Sequence, residues 1–238
     1  IRALELLCMQ PEVEVNGDLM FNLPGQSVGE FLEDLDYLAS FPLDHVSFYG
    51  LTVADRTRLG HRIARDELYV DENLYGEMYL KGVDLLKKRG FERYEVSNFC
   101  RADKWSVHNK NYWDRGEYIG FGPGAHSYFK GTRYHAPEIY PGWRKFVLNG
   151  MPKDLFCIDS LTPDDIWTER VWLSLRQSSG LDLEILRSDG IELKESSYSK
   201  WLKNGCLEKE GNTLRLVGNG WVVMDSIVTD VLNGYIPI

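Results

Sequence analysis

The chain has 238 residues, 43% of them apolar and 26% charged, ordinary values for a globular protein able to bury a sizeable core. Its formal charge of −9 argues against a nucleic-acid partner, which needs a basic face, and against docking to anionic membranes. No apolar run approaches the roughly 20 residues of a membrane span, and no signal peptide opens the sequence. Cys8, Cys100, Cys157 and Cys206 are scattered without a Cys-x-x-Cys pair, so they are expected to be reduced thiols of a cytoplasmic protein.

In chain order, the opening IRALELL reads as the end of a helix, and the chain is expected to be a piece of a longer protein. Residues 13–22 form a predicted strand buried on both faces. Residues 28–40 show helical periodicity through Phe31, Leu32, Leu35 and Leu38, and 45–52 is a second strand. Asp71 is placed to N-cap a long helix that ends at Gly90 after Lys87, Lys88 and Arg89. A third strand is predicted over 91–99 and a short fourth over 118–121. This alternation implies a parallel α/β sheet. Residues 126–135 suggest a hairpin around Lys130-Gly131, and 138–149 a helix.

After Pro152 the pattern changes to helices opening at Thr162-Pro163, near 182–189 and near 195–204. A hairpin turning at Gly211-Asn212 and a last helix over 220–232 follow. The expected domains are therefore 1–150 and 151–238. The second is winged-helix-like, without the concentrated basic face of a DNA-binding module, so a structural or lid role is expected of it.

Three groups of residues can carry chemistry. Asp18 lies in the strand VEVNGDLMFN, followed by Leu23-Pro24-Gly25-Gln26. A strand carboxylate must be bonded to something. It can be held by nearby backbone or an Arg, or, near the C-terminal end of a barrel strand, it can accept two hydrogen bonds from a ribose diol. Gly50 ends HVSFYGLT, and Gly120, Gly122 and Gly124 form a loop that allows close backbone approach. Finally, His108, Asn109, Tyr112 and Trp113 stand in HNKNYW; in a helix His108 and Tyr112 share a face. That histidine is either a hydrogen-bonded structural residue or a ligand, since imidazole can bind heme iron while Tyr and Trp stack on a porphyrin. Glu95, Ser97 and Asn98 either anchor this region or line a pocket. His45 is expected to hydrogen-bond at a rim, and His61 and His135 to lie on the surface.

DLMFNLPGQ, HVSFYGLT, YEVSNF, HNKNYW and YIGFGPGAHS together resemble the radical S-adenosylmethionine proteins related to oxygen-independent coproporphyrinogen III oxidase, and within them the heme chaperone branch. The resemblance implies a partial (β/α) barrel with a C-terminal winged-helix-like helical domain. It implies S-adenosylmethionine contacts by Asp18, Gly50, Ala125 and His126. It also implies heme binding by His108, Tyr112 and Trp113, with His108 on the iron. A [4Fe–4S] cluster and S-adenosylmethionine are implied for the complete protein; the family's Cys-x-x-x-Cys-x-x-Cys loop is not in this sequence, so the chain alone is expected to be catalytically inactive. The function implied is heme delivery to acceptor proteins. The alternative is radical decarboxylation of coproporphyrinogen III. Self-association into a homodimer is expected from an unpaired first strand.

Overall fold

The computed structural model describes residues 2–10, 12–152 and 156–237; Ile1, the start of the predicted first helix, lies outside them. Contacts divide the chain into two compact units, residues 1–106 with 175–238, and residues 107–174.

The first part of unit 1 runs α1 (Arg2–Cys8), β1 (Asn16–Phe21), α2 (Val28–Ala39), β2 (His45–Gly50), α3 (Arg58–Ile63), α4 (Glu72–Lys88), β3 (Glu92–Arg93) and β4 (Asn98–Cys100). β1 and β2 are parallel, Asp18 facing Ser47 in register, with α2 as their crossover. The turn leaving β1 is set by Leu23-Pro24-Gly25-Gln26: Gly25 has φ +76° and Gln26 N–H bonds Leu23 C=O at 2.9 Å, the arrangement Pro-Gly favours. A capping box starts α2, Ser27 and Glu30 satisfying each other's backbone N–H. Asp71 caps α4, as expected. The two helices pack closely because Gly82 lacks a side chain; a Cβ there would stand 3.0 Å from the Phe31 ring. Phe21, Phe31, Phe48, Phe99 and Tyr79 gather beneath them, Phe48 and Phe99 stacking at 4.9 Å.

The expectation of a third parallel strand over 91–99 is corrected. That segment is two short strands, and β4 runs antiparallel to both β2 and β3, in the sheet order β1-β2-β4-β3. The chain reverses at 94–97 because the Glu95 carboxylate accepts the Ser97 N–H at 2.8 Å and the Asn98 amide. Tyr94 N–H then bonds Asn98 C=O across the turn.

Unit 2 carries α5 (Val107–Trp113), β5 (His126–Phe129), β6 (Thr132–His135), α6 (Tyr140–Leu148), β7 (Cys157–Asp159) and most of α7 (Pro163–Leu175). β5 and β6 form the expected hairpin, with Lys130 (φ +49°) and Gly131 (φ +72°) at its turn. The predicted fourth strand over 118–121 is not formed; a lone bridge joins Tyr118 to Tyr128, because the glycines that follow turn the chain away, Gly122 at φ +118°.

Unit 1 resumes with β8 (Leu181–Asp182), α8 (Leu183–Ser188), β9 (Ile191–Leu193), α9 (Glu195–Lys203), β10 (Leu207–Glu210), β11 (Thr213–Leu216), α10 (Met224–Leu232) and β12 (Tyr235–Pro237). β8, β11 and β10 make one small sheet and β9 with β12 another. Leu181, Leu186, Leu214, Ile227 and Val231 fill their core. Residue 150 lies within unit 2, and residues 175–178 join the first part of unit 1. The reason is local: Arg176 bonds the fully buried Glu95 with Nε at 3.0 Å and Nη2 at 2.8 Å. Backbone bonds from Val96 N–H to Arg176 C=O and from Ser178 N–H to Tyr94 C=O complete the tie.

Candidate functional site

The α2–α4 side of the sheet is apolar; its other face is polar. Asn16 and Asp18 on β1, His45 and Ser47 on β2 and Asn98 on β4 lie there by register. Asp18 is exposed, a correction to the strand expected to be buried on both faces: β1 buries Gly17 and Phe21 on one side and leaves Asn16, Asp18 and Met20 open on the other.

A directed chain of hydrogen bonds leads to Asp18. Asn16 donates from Nδ2 to Asp18 Oδ1 at 2.8 Å. Its Oδ1 must therefore accept from His45 Nδ1 at 2.7 Å, which assigns the imidazole proton to Nδ1. His45 Nε2 then accepts from the Tyr94 hydroxyl at 2.7 Å, whose oxygen accepts the Ser106 N–H at 3.3 Å. His45 is only 6% exposed; burial pushes its pKa below the ordinary histidine value, with the Asp18 charge opposing. The neutral ring is the form this chain of bonds requires. Motif reading found Asp18 but not the Asn16–His45–Tyr94 support, because only strand pairing brings these positions together.

Gly50 has a packing reason of its own: a Cβ there would stand 2.2 Å from the Tyr75 ring of α4. Gly120 is likewise required by its own loop, where a Cβ would meet His126 C=O at 2.2 Å. Its N–H bonds the buried Ser127 hydroxyl at 3.0 Å. Ala125 is half-buried and His126 exposed. Asp18 and Gly50 belong to unit 1, Ala125 and His126 to unit 2. His135, expected on the surface as a lone residue, is half-buried and lies against His126 with ring centroids 4.8 Å apart; His61 is exposed as expected. Glu95 and Asn98 are buried anchors.

The HNKNYW residues form α5. His108 is exposed, and neither of its ring nitrogens has a hydrogen-bond partner among the described residues. Its ring stands edge-on to Tyr112 at 4.7 Å, and Tyr112 edge-on to Tyr118 at 4.5 Å. Tyr112 and Trp113 line a cavity of about 450 Å³ within unit 2, together with Tyr118, Tyr128 and Trp172. Its charged groups are Arg115, Arg133 and Glu169, with Glu169 between the two guanidiniums, 3.3 Å from Arg115 Nε and bonded to Arg133 Nη2. A cavity of this size with a few convergent polar groups has the form of a small-molecule site. Sequence reading located its HNKNYW wall and missed the α7 wall, whose one signal was a carboxylate set among Trp167, Val171 and Trp172.

The thiols do not suit an iron–sulfur cluster. The four cysteines stand at 8, 100, 157 and 206, Cys100 and Cys206 are buried, and burial pushes the Cys100 pKa up to about 11, against the thiolate a cluster needs. Among the described residues no group of three or more His, Cys, Asp or Glu is placed to hold a metal ion. Nor is any described helix long and apolar enough to cross a membrane.

The fold is that of a radical S-adenosylmethionine protein. It is similar to Escherichia coli coproporphyrinogen III oxidase (HemN), with a TM-score of 0.72 at 16% identity, covering 91% of this chain and 54% of that one. No family model matches the sequence. Among curated proteins, the heme chaperone HemW of Mycobacterium tuberculosis is 34% identical over 219 residues, 92% of this chain and 55% of the relative. HemW of Bacillus subtilis is 36% identical over 168 residues, 69% and 43% of the two chains. The mitochondrial radical S-adenosyl methionine domain-containing protein 1 of Mus musculus is 42% identical over 127 residues, 52% and 29%. The chain belongs to the same family of radical S-adenosylmethionine proteins as these relatives. It spans about half the length of the bacterial relatives it matches.

Proposed function

We infer that this chain is part of a heme chaperone, binding heme at α5 and handing it to acceptor proteins in the cytoplasm. One observation carries this: an exposed His108, with no hydrogen-bond partner among the described residues, lies one helical turn before Tyr112, whose ring lines an aromatic cavity. The imidazole supplies an axial ligand to the iron of the cargo, and Tyr112 and Trp113 supply faces for the porphyrin. The printed names of the bacterial relatives support the same reading. The alternative, oxidative decarboxylation of coproporphyrinogen III, is favoured by likeness of fold alone.

In the same reading, Asp18 accepts the ribose hydroxyls of S-adenosylmethionine, with its carboxylate oriented by Asn16, and Gly50, Ala125 and His126 are backbone and side-chain neighbours of that cofactor. Cluster and S-adenosylmethionine together would supply one-electron chemistry, for which this chain contributes no cluster ligands. β1, β2 and their helices form a portion of a (β/α) barrel, and α8–α10 with the β10–β11 hairpin a winged-helix-like element of structural role.

The test is heme titration of the chain and of His108→Ala. The variant should bind heme more weakly, by roughly tenfold or more if an axial bond is lost, and show a shifted Soret band. Its fold should persist, since Ala suits a helix. An unchanged band position together with unchanged affinity removes His108 as the ligand.

A further inference from the structure

The turn that ends α5 holds an arginine where a glycine would be easier. Arg115 N–H bonds Tyr112 C=O at 3.1 Å and Gly116 N–H bonds Asn111 C=O at 2.7 Å, the paired bonds of a Schellman turn. Arg115 therefore occupies the left-handed position of that turn, at φ +55°, which costs a side chain about 1 kcal/mol or more relative to glycine. The strain places the guanidinium in the wall of the unit 2 cavity. Glu169 stands 3.3 Å from its Nε. Arg115 Nη2 is shielded from water and has no hydrogen-bond partner among the described residues. A buried donor left unbonded is costly, so a strained turn here sets one unsatisfied guanidinium nitrogen, on a cation already paired with Glu169, beside five aromatic rings.

We propose that Arg115 is a carboxylate-recognition residue, its Nη edge receiving an acidic substituent of a flat aromatic ligand whose body lies against Tyr112, Tyr118, Tyr128 and Trp172. A guanidinium fork suits a planar carboxylate better than any other cation does. Arg133 cannot take this role, since it already bridges Glu169 and Asp159. The proposal rests on the heme reading for the ligand's identity: the acidic substituents are then the carboxylate side chains of the tetrapyrrole. Position and chemistry of Arg115 stand independently of iron and of His108.

Metal-free protoporphyrin IX and its dimethyl ester, dispersed in the same mild detergent, are titrated against the chain and followed by tryptophan quenching. The free acid should bind about tenfold tighter than the ester or better, as one charge-assisted pair implies. In Arg115→Gly, whose backbone suits the turn, that preference should fall to near parity while ester binding persists, which reports an intact cavity. Arg115→Lys should restore part of it. Equal binding of acid and ester by the unmodified chain overturns the proposal and leaves the heme reading standing. Undiminished preference in Arg115→Gly overturns it too. Binding of neither porphyrin also overturns it, and leaves the heme reading to the heme titration of His108→Ala.

Discussion

At the scale of single residues, His45 shows how a site residue is held by what cannot be read locally. Its two nitrogens are committed in opposite senses, Nδ1–H donating to Asn16 and Nε2 accepting from Tyr94, so the ring works only when neutral. Burial depresses its pKa, so the folded state binds a proton less readily than the unfolded one. Stability from this residue is full above the ordinary histidine value of about 6.5 and is lost as pH falls below it, until the folded group itself titrates. Thermal unfolding at pH 7.5 and 5.5 should therefore show an acid-side loss in the unmodified chain that is smaller in His45→Gln. An identical loss in both would mean that other groups set the pH dependence.

At the scale of elements, the segment following β3 and the segment following α7 are joined by one buried ion pair. Glu95 is fully buried and Arg176 nearly so, and the carboxylate also accepts the Ser97 N–H and the Asn98 amide. Removing one member leaves the other buried without its partner. Arg176→Met is expected to destabilise unit 1 by about 3–5 kcal/mol, measured by urea unfolding. Glu95→Gln/Arg176→Met together should cost less than the sum of the single changes, as groups in one network do. Strict additivity would show that the pair is not coupled. The same carboxylate explains why 91–99 is not one strand: the reversal at 94–97 depends on a side chain folding back onto its own backbone.

At the scale of the whole molecule, β1 is hydrogen-bonded on one side only among the described residues. A strand edge presenting unpaired N–H and C=O groups is a template for further pairing. The 238-residue chain should therefore self-associate at high concentration in light scattering. A monodisperse monomer throughout would refute the expectation.

Sequence alone determined most element positions, because caps, turns and periodicity are local: Ser27 with Glu30, Asp71, Pro24-Gly25 and Lys130-Gly131 each act within a few residues of themselves. The HNKNYW helix and the DLMFNLPGQ strand-turn were legible for the same reason. Only the tertiary structure decided the antiparallel course of β4, the join of residues 175–178 to unit 1, the Asn16–His45–Tyr94 support of Asp18 and the α7 wall of the aromatic cavity. Each depends on groups far apart in the chain meeting through strand register or a buried charge. No local pattern encodes that meeting, because its stabilisation exists only once both partners have left water.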